Sequence, residues 1–119
     1  MARVLVVDDS LDLLSIIKDF LIGLGHSCLL ASSGREALDI LSSDVFDLII
    51  SDYEMDFGDG LWLLGELQKN ENSPRCIIMT ANLTIKIDQF ISAGASSLCF
   101  KPIEWGELEQ EIQRLIPLN

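Results

Sequence analysis

Arg3-Val4-Leu5-Val6-Val7-Asp8-Asp9-Ser10 passes from an unbroken apolar run to two adjacent acids and a hydroxyl. A continuous apolar run, as opposed to an alternating one, fits a strand buried on both faces, the condition of a parallel sheet covered by helices on either side. Four more such runs follow: Ser27 to Ala31, Phe46 to Ser51, Arg75 to Thr80 and Ser97 to Phe100. Between them lie segments of helical spacing. Leu13, Leu14, Ile17, Leu21 and Leu24 repeat at three to four residues before Gly23 and Gly25 close the first helix. Ala37, Leu38 and Leu41 mark a short second helix over Gly34 to Leu41, a third runs from about Leu61 to Lys69, and a fourth from about Leu83 to Ala93 with Gly94 after it. A fifth, Glu104 to Ile116, carries Trp105, Leu108, Ile112 and Leu115 on one stripe and stops at Pro117.

Strict β-α alternation with short connections predicts parallel strands joined by right-handed crossovers: an open, doubly wound α/β sheet of five strands, too few for a closed eight-stranded barrel. The 119 residues suit one domain, residues 1–119, and no repeat, low-complexity tract or linker argues for a second. Hydrophobic residues make up 49%, and the mean hydropathy of +0.34 provides for a well-buried core and excludes disorder.

Nineteen acidic residues against 8 basic give a net charge of −11. Direct nucleic-acid binding is therefore not expected, because affinity for a phosphate backbone comes from clustered Lys and Arg. The uncharged stretch Gln89 to Phe100 is too short and too rich in Ser and Gly to cross a membrane. Val4 to Val7, cut off by Asp8, is no secretory leader, so a cytoplasmic location is expected. Cys28, Cys76 and Cys99 are odd in number, widely spaced and set in apolar runs, which reads as reduced core cysteine.

In an open α/β sheet, ligands bind beyond the carboxyl ends of the strands, where strand order reverses. At those ends stand Asp8 and Asp9, Asp52, Thr80, and Lys101 followed by Pro102. Each has an ordinary reading alone: Asp9 or Ser10 as a helix N-cap, Asp52 as a turn cap, Thr80 as a strand residue, Lys101 as a solvated charge. Together they are informative, since carboxylates gathered at one sheet edge repel unless a cation is present. Oxygen-only ligands suit a hard divalent ion, Mg²⁺, and Lys101 adds fixed positive charge. A carboxylate nucleophile, Mg²⁺, a lysine and a threonine hydroxyl are the equipment for phosphoryl transfer to an aspartate.

These residues resemble the receiver domain of two-component response regulators, from end to end of the chain. The matching pieces are Val6-Val7-Asp8-Asp9-Ser10, Asp47 through Met55 around Asp52, Asp59-Gly60, Ile77-Ile78-Met79-Thr80-Ala81, Gly94-Ala95 and Lys101-Pro102. The resemblance implies a flavodoxin-like sheet of order 2-1-3-4-5 flanked by five helices, with Asp52 as phosphoacceptor for a sensor histidine kinase or a histidine phosphotransfer domain. It further implies Mg²⁺ held by Asp9, Asp52 and the Glu54 carbonyl, with Asp8 acting through bound water. Lys101 would pair with Asp52 at rest and with the phosphoryl group afterwards, Thr80 would donate its hydroxyl beside the Ala81 N–H, and the Lys101–Pro102 bond would be cis. Glu54 and Asn82 take the positions that govern water access to the acyl phosphate. Such a module assists its own phosphorylation and dephosphorylation without being a metabolic enzyme. A stand-alone regulator, a relay intermediate and part of a longer regulator or hybrid kinase with an output domain all remain open, as does phosphorylation-dependent dimerisation.

Three departures stand out. Leu98 replaces the usual aromatic three before the lysine, which implies a weak response of the face built by the fourth helix, fifth strand and fifth helix. Asp56 replaces the usual proline, and Gly58 and Gly60 around Asp59 suggest a loose loop. Of the rest, His26 reads as a turn residue, Trp105 as core, Trp62 as partly exposed, and Glu107, Glu109 and Glu111 as a solvated helix face. Two competing classes fit less well. An aspartyl phosphohydrolase needs Asp-x-Asp on the first strand, not Asp8-Asp9, and a flavodoxin-like cofactor carrier needs a phosphate-cradling loop where Asp8-Asp9-Ser10-Leu11-Asp12 would repel one.

Overall fold

A computed structural model describes all residues except Met1, 56–58, Glu71, Leu83, Ile85, Lys86 and 117–119. The expectations placed on Asp56, Gly58, a helix start at Leu83 and a stop at Pro117 lie outside the described residues.

The elements alternate as β1 (Arg3–Val7), α1 (Leu11–Gly23), β2 (Ser27–Ala31), α2 (Gly34–Leu41), β3 (Leu48–Asp52), α3 (Gly60–Leu67), β4 (Arg75–Thr80), α4 (Ile87–Ser92), β5 (Ser97–Phe100) and α5 (Trp105–Leu115). All strand pairs are parallel, in the order β2-β1-β3-β4-β5. The doubly wound architecture and its order are as the residues and the resemblance led one to expect.

The unbroken apolar runs have their cause in two cores, one on each face of the sheet. Val4, Val6, Leu48, Ile50, Ile77 and Met79 pack against Leu14, Ile17 and Leu21 of α1 and Leu108, Ile112 and Leu115 of α5. The alternate residues Leu5, Val7, Ile49, Cys76 and Ile78 pack against Ala37 of α2, Leu63, Leu64 and Leu67 of α3, and Phe90 of α4. Truncating any of these large side chains to alanine would cost about 2–5 kcal/mol.

Four helix starts are capped by side chains. Ser10, Ser33, Asp59 and Glu104 accept from the backbone N–H of Leu13, Glu36, Trp62 and Glu107 respectively. At the other ends, Gly25 and Gly94 hold positive φ of 91° and 108°, which stops α1 and the α4 segment.

Several boundaries shift from expectation. β3 begins at Leu48, two residues later than the apolar run, because the preceding loop is bound to the first strand: Asp47 Oδ2 accepts from Arg3 N at 2.8 Å and the Arg3 guanidinium lies 4.9 Å from the Phe46 ring centre. Glu111 is no solvated charge; it accepts from Ser97 Oγ at 2.6 Å and pairs with Arg114 at 2.8 Å, tying α5 to β5. Trp105 is half-buried, its ring 4.8 Å from that of Phe20. Trp62 is partly exposed as expected, beneath the Arg35 guanidinium at 5.3 Å. His26 Nδ1 accepts from Ala2 N at 3.1 Å, a turn role.

Candidate functional site

Strand order reverses between β1 and β3, and there the acids gather. Backbone bonds continue the sheet past its strands: Asp8 N donates to Ala31 O, Tyr53 N to Met79 O and Lys101 N to Thr80 O. These bonds fix the emerging side chains on one edge. Asp8 is 1% exposed, Asp52 6% and Thr80 1%, while Asp9 faces solvent.

Lys101 joins the buried pair. Its Nζ lies 3.2 Å from Asp8 Oδ2 and 3.1 Å from Asp52 Oδ1. The other Asp8 oxygen accepts from Ser10 N at 2.9 Å, so Asp8, two residues before the N-cap of α1, has a partner on both oxygens. Burial raises the Asp52 carboxyl above its ordinary value, the Asp8 charge adds to this, and hydrogen bonding and charge from Lys101 oppose it. Burial alone would lower the Lys101 ammonium, but Asp52 and Asp8 outweigh it and hold it above its ordinary value. Removing either partner from such a pair leaves an uncompensated charge.

Asp8, Asp9 and Asp52 each place a carboxylate oxygen within 4.8 Å of the others. That donor set carries neither sulfur nor imidazole, and the exposed Asp9 leaves it open to solvent, so these residues fit a hard divalent cation. An open cavity of about 440 Å³ adjoins the cluster, lined by Asp9, Tyr53, Glu54, Met55 and Asp59. Glu54 thus shares a wall with Asp9.

Among the described residues Thr80 meets Lys101 only through its backbone carbonyl, and its side chain hydrogen-bonds neither Lys101 nor Asp52. Its Oγ1 accepts from Asn82 N at 3.1 Å, leaving the hydroxyl hydrogen free to donate. Asn82 Oδ1 is engaged by Thr84 N at 2.9 Å, and Ala81 is exposed beside it. Sequence reading did not single out Tyr53, Met55 or Asp59 as walls of the cleft. An aromatic directly after the site aspartate was the available signal for Tyr53.

Comparison with known proteins decides the family. The family model of the response regulator receiver domain matches residues 4–113. The chain belongs to the response regulator receiver family. It is 31% identical to the transcriptional regulatory protein ZraR of Escherichia coli over 95% of this chain and 26% of that protein. The chain thus spans about a quarter of the length of that curated relative. Among solved structures, the receiver fold superimposes on the chemotaxis response regulator CheY4 of Vibrio cholerae with a TM-score of 0.89 at 28% identity, covering 98% of this chain and 99% of that one. It superimposes on the response regulator TrrA of Thermotoga maritima, solved in complex with Mg(2+)-BeF, with a TM-score of 0.88 at 32% identity, covering 98% and 100%. Among the described residues of this receiver, no helix is long and apolar enough to cross a membrane.

Proposed function

We propose that this receiver accepts a phosphoryl group on Asp52 from the phosphohistidine of a sensor histidine kinase or a histidine phosphotransfer domain. The observation that carries the reading is the Lys101 ammonium bridging Asp8 and Asp52 at the carboxyl end of β3, with Asp9 beside them.

In the transfer, an Asp52 oxygen attacks phosphorus in line, the P–O bond forms, the P–N bond to the donor histidine breaks, and the imidazole leaves. Asp52 is buried enough to be weakly solvated and open enough to be reached. Lys101 balances charge on the equatorial oxygens, and Thr80 donates the hydrogen that Asn82 leaves free, beside the Ala81 N–H. Asp9, Asp52 and the Glu54 carbonyl are the residues that would hold Mg²⁺, with Asp8 supporting through water. When bound, that ion supplies charge neutralisation and a coordination position for a phosphoryl oxygen. Water later cleaves the acyl phosphate, with Glu54 and Asn82 beside the line of approach. The receiver thereby assists its own phosphorylation and its own reset, in the cytoplasm, and passes the signal to an output domain or target.

Intact mass after incubation with acetyl phosphate, with and without Mg²⁺, tests this on the native chain and on Asp52→Asn. One Mg²⁺-dependent phosphoryl addition, absent from the variant, is expected. No addition to the native chain, or an equal addition to the variant, overturns the reading.

A further inference from the structure

Among the described residues, Tyr53 is the one that lines the acidic cleft and also holds an aromatic contact with α4. Its backbone is fixed at both ends, N–H to Met79 O at 2.8 Å and carbonyl from Gly60 N at 3.0 Å, so its position follows that of Asp52 directly before it. Tyr53 lines the cavity together with Asp9, Glu54, Met55 and Asp59. Its ring stands 5.0 Å from the Phe90 ring at 77°, edge to face. Phe90 is in turn the only buried side chain among the described residues of α4, 1% exposed, while Ile87 and Ile91 on the same helix are 53% and 49% exposed. The buried anchor of the described part of α4 is therefore one ring, set in the core on that face of the sheet and against Tyr53.

On β5, by contrast, the residue paired with Thr80 is Phe100, 38% exposed, and Leu98 is paired with Ile78. An aromatic buried on that strand is not there to follow the cleft. We propose that Tyr53 is a positioning residue that carries the occupancy of the cleft to α4 through its edge-to-face contact with Phe90. The proposal rests on the receiver reading of the same cleft. Filling the cleft changes what the Tyr53 ring packs against on its open side, the ring re-settles, and Phe90 follows because it has no other aromatic partner among the described residues. An edge-to-face pair is strong enough to bias such a two-state element by about two- to tenfold.

Amide chemical shifts of the full chain, recorded with and without Mg²⁺ and beryllium fluoride, test this on the native protein and on Tyr53→Phe, Tyr53→Leu and Phe90→Leu. The expected result has the amides of Asp9, Asp52 and Thr80 shifting in all four proteins. Those of Ile87–Ser92 shift in the native protein and Tyr53→Phe, and lose most of that shift in Tyr53→Leu and Phe90→Leu. A purely structural role would lower the melting temperature of both leucine variants while leaving the α4 response intact, and that outcome overturns the proposal. If Tyr53→Leu does not fold, Phe90→Leu removes the same contact from the other side. If the amides around Asp52 do not respond in the native protein, the receiver reading of the cleft fails and the coupling fails with it; a response there without one in α4 overturns the coupling alone.

Discussion

Two glycines in one helix should respond to alanine with opposite signs. Gly60 is the first residue of α3 and buried. A Cβ built on it would lie 2.7 Å from the carbonyl oxygen of Asp52, 3.0 Å from Tyr53 Cα and 3.3 Å from Ile78 Cδ1. The two nearest atoms are backbone, so α3 itself must move. Overpacking of this kind costs about 1–3 kcal/mol. Gly65 lies on the exposed side of the same helix, and nothing stands within 4 Å of its Cβ position. There alanine gains about 0.5–1 kcal/mol from reduced freedom of the unfolded chain. For a domain of this size, 1 kcal/mol moves the melting temperature by about 3–6 °C. Gly65→Ala should therefore melt about 2–6 °C higher and Gly60→Ala about 3–18 °C lower, as followed by circular dichroism on heating. Because the clash falls on the carbonyl of Asp52, the proposed phosphoacceptor, Gly60→Ala should also slow phosphorylation by acetyl phosphate, while Gly65→Ala leaves it unchanged. Equal stability of Gly60→Ala and the native chain, or the same sign for both variants, would refute the reasoning.

Lys101→Met leaves Asp8 and Asp52 buried and facing each other; urea unfolding without Mg²⁺ should show a loss of up to about 3 kcal/mol, the low end for breaking a buried pair because Lys101 is partly exposed. A hydrogen bond from Arg114, then one from Ser97, holds Glu111 below the usual carboxylate range. A depressed carboxyl stabilises the fold above its unfolded value and loses that contribution as pH falls through the folded one. The stability gap between the native chain and Glu111→Gln should therefore stay flat near neutrality and close on acidification below about pH 4, read from melting temperatures across pH. Burial pushes the Cys28 and Cys99 thiols up to about 11 and Cys76 up to about 12. Only Cys76 lies fully in the core, Cys28 and Cys99 being half-buried, so labelling by a disulfide reagent at about pH 7.5 should be slowest at Cys76, and equal rates for Cys76 in the folded chain and in urea would show that its thiol is not held there.

The fold was legible because burial on both faces leaves an unmistakable mark. Val4 to Val7, Leu48 to Ile50 and Ile77 to Met79 could be apolar without alternation only between two helical layers. Strand order was not legible from periodicity, which says nothing of neighbours; it came from the resemblance. The boundaries that moved did so for tertiary reasons. Phe46 belongs to the apolar run but is held by Arg3 from another strand, and no local pattern announces that. Glu111 reads as one more acid on an exposed face until the fold brings Ser97 within 2.6 Å. The site shows the same division. Asp8, Asp52 and Lys101 are strand-end residues whose meeting follows from topology. Tyr53 and Asp59 become walls of the cleft only through the path of the β3–α3 connection.

The charges at the cleft explain how a chain with a net charge of −11 can be suited to a phosphoryl group at all. Three carboxylates share one edge with one ammonium, so the resting site is locally anionic and Asp52 already sits above its ordinary value. The proposed transfer to Asp52 would convert a charged carboxylate into an uncharged acyl linkage and move the negative charge outward onto phosphoryl oxygens. Lys101 then loses its attraction to one of its two acids but keeps Asp8, which is anchored by Ser10 N–H and stays in place. That asymmetry gives Lys101 a fixed pivot and a movable partner. Asp8→Asn should accordingly weaken the hold on Lys101 in the phosphorylated state more than at rest, and the acyl phosphate of that variant should be lost faster than that of the native chain when followed by intact mass. An unchanged lifetime would mean that Lys101 needs no second anchor.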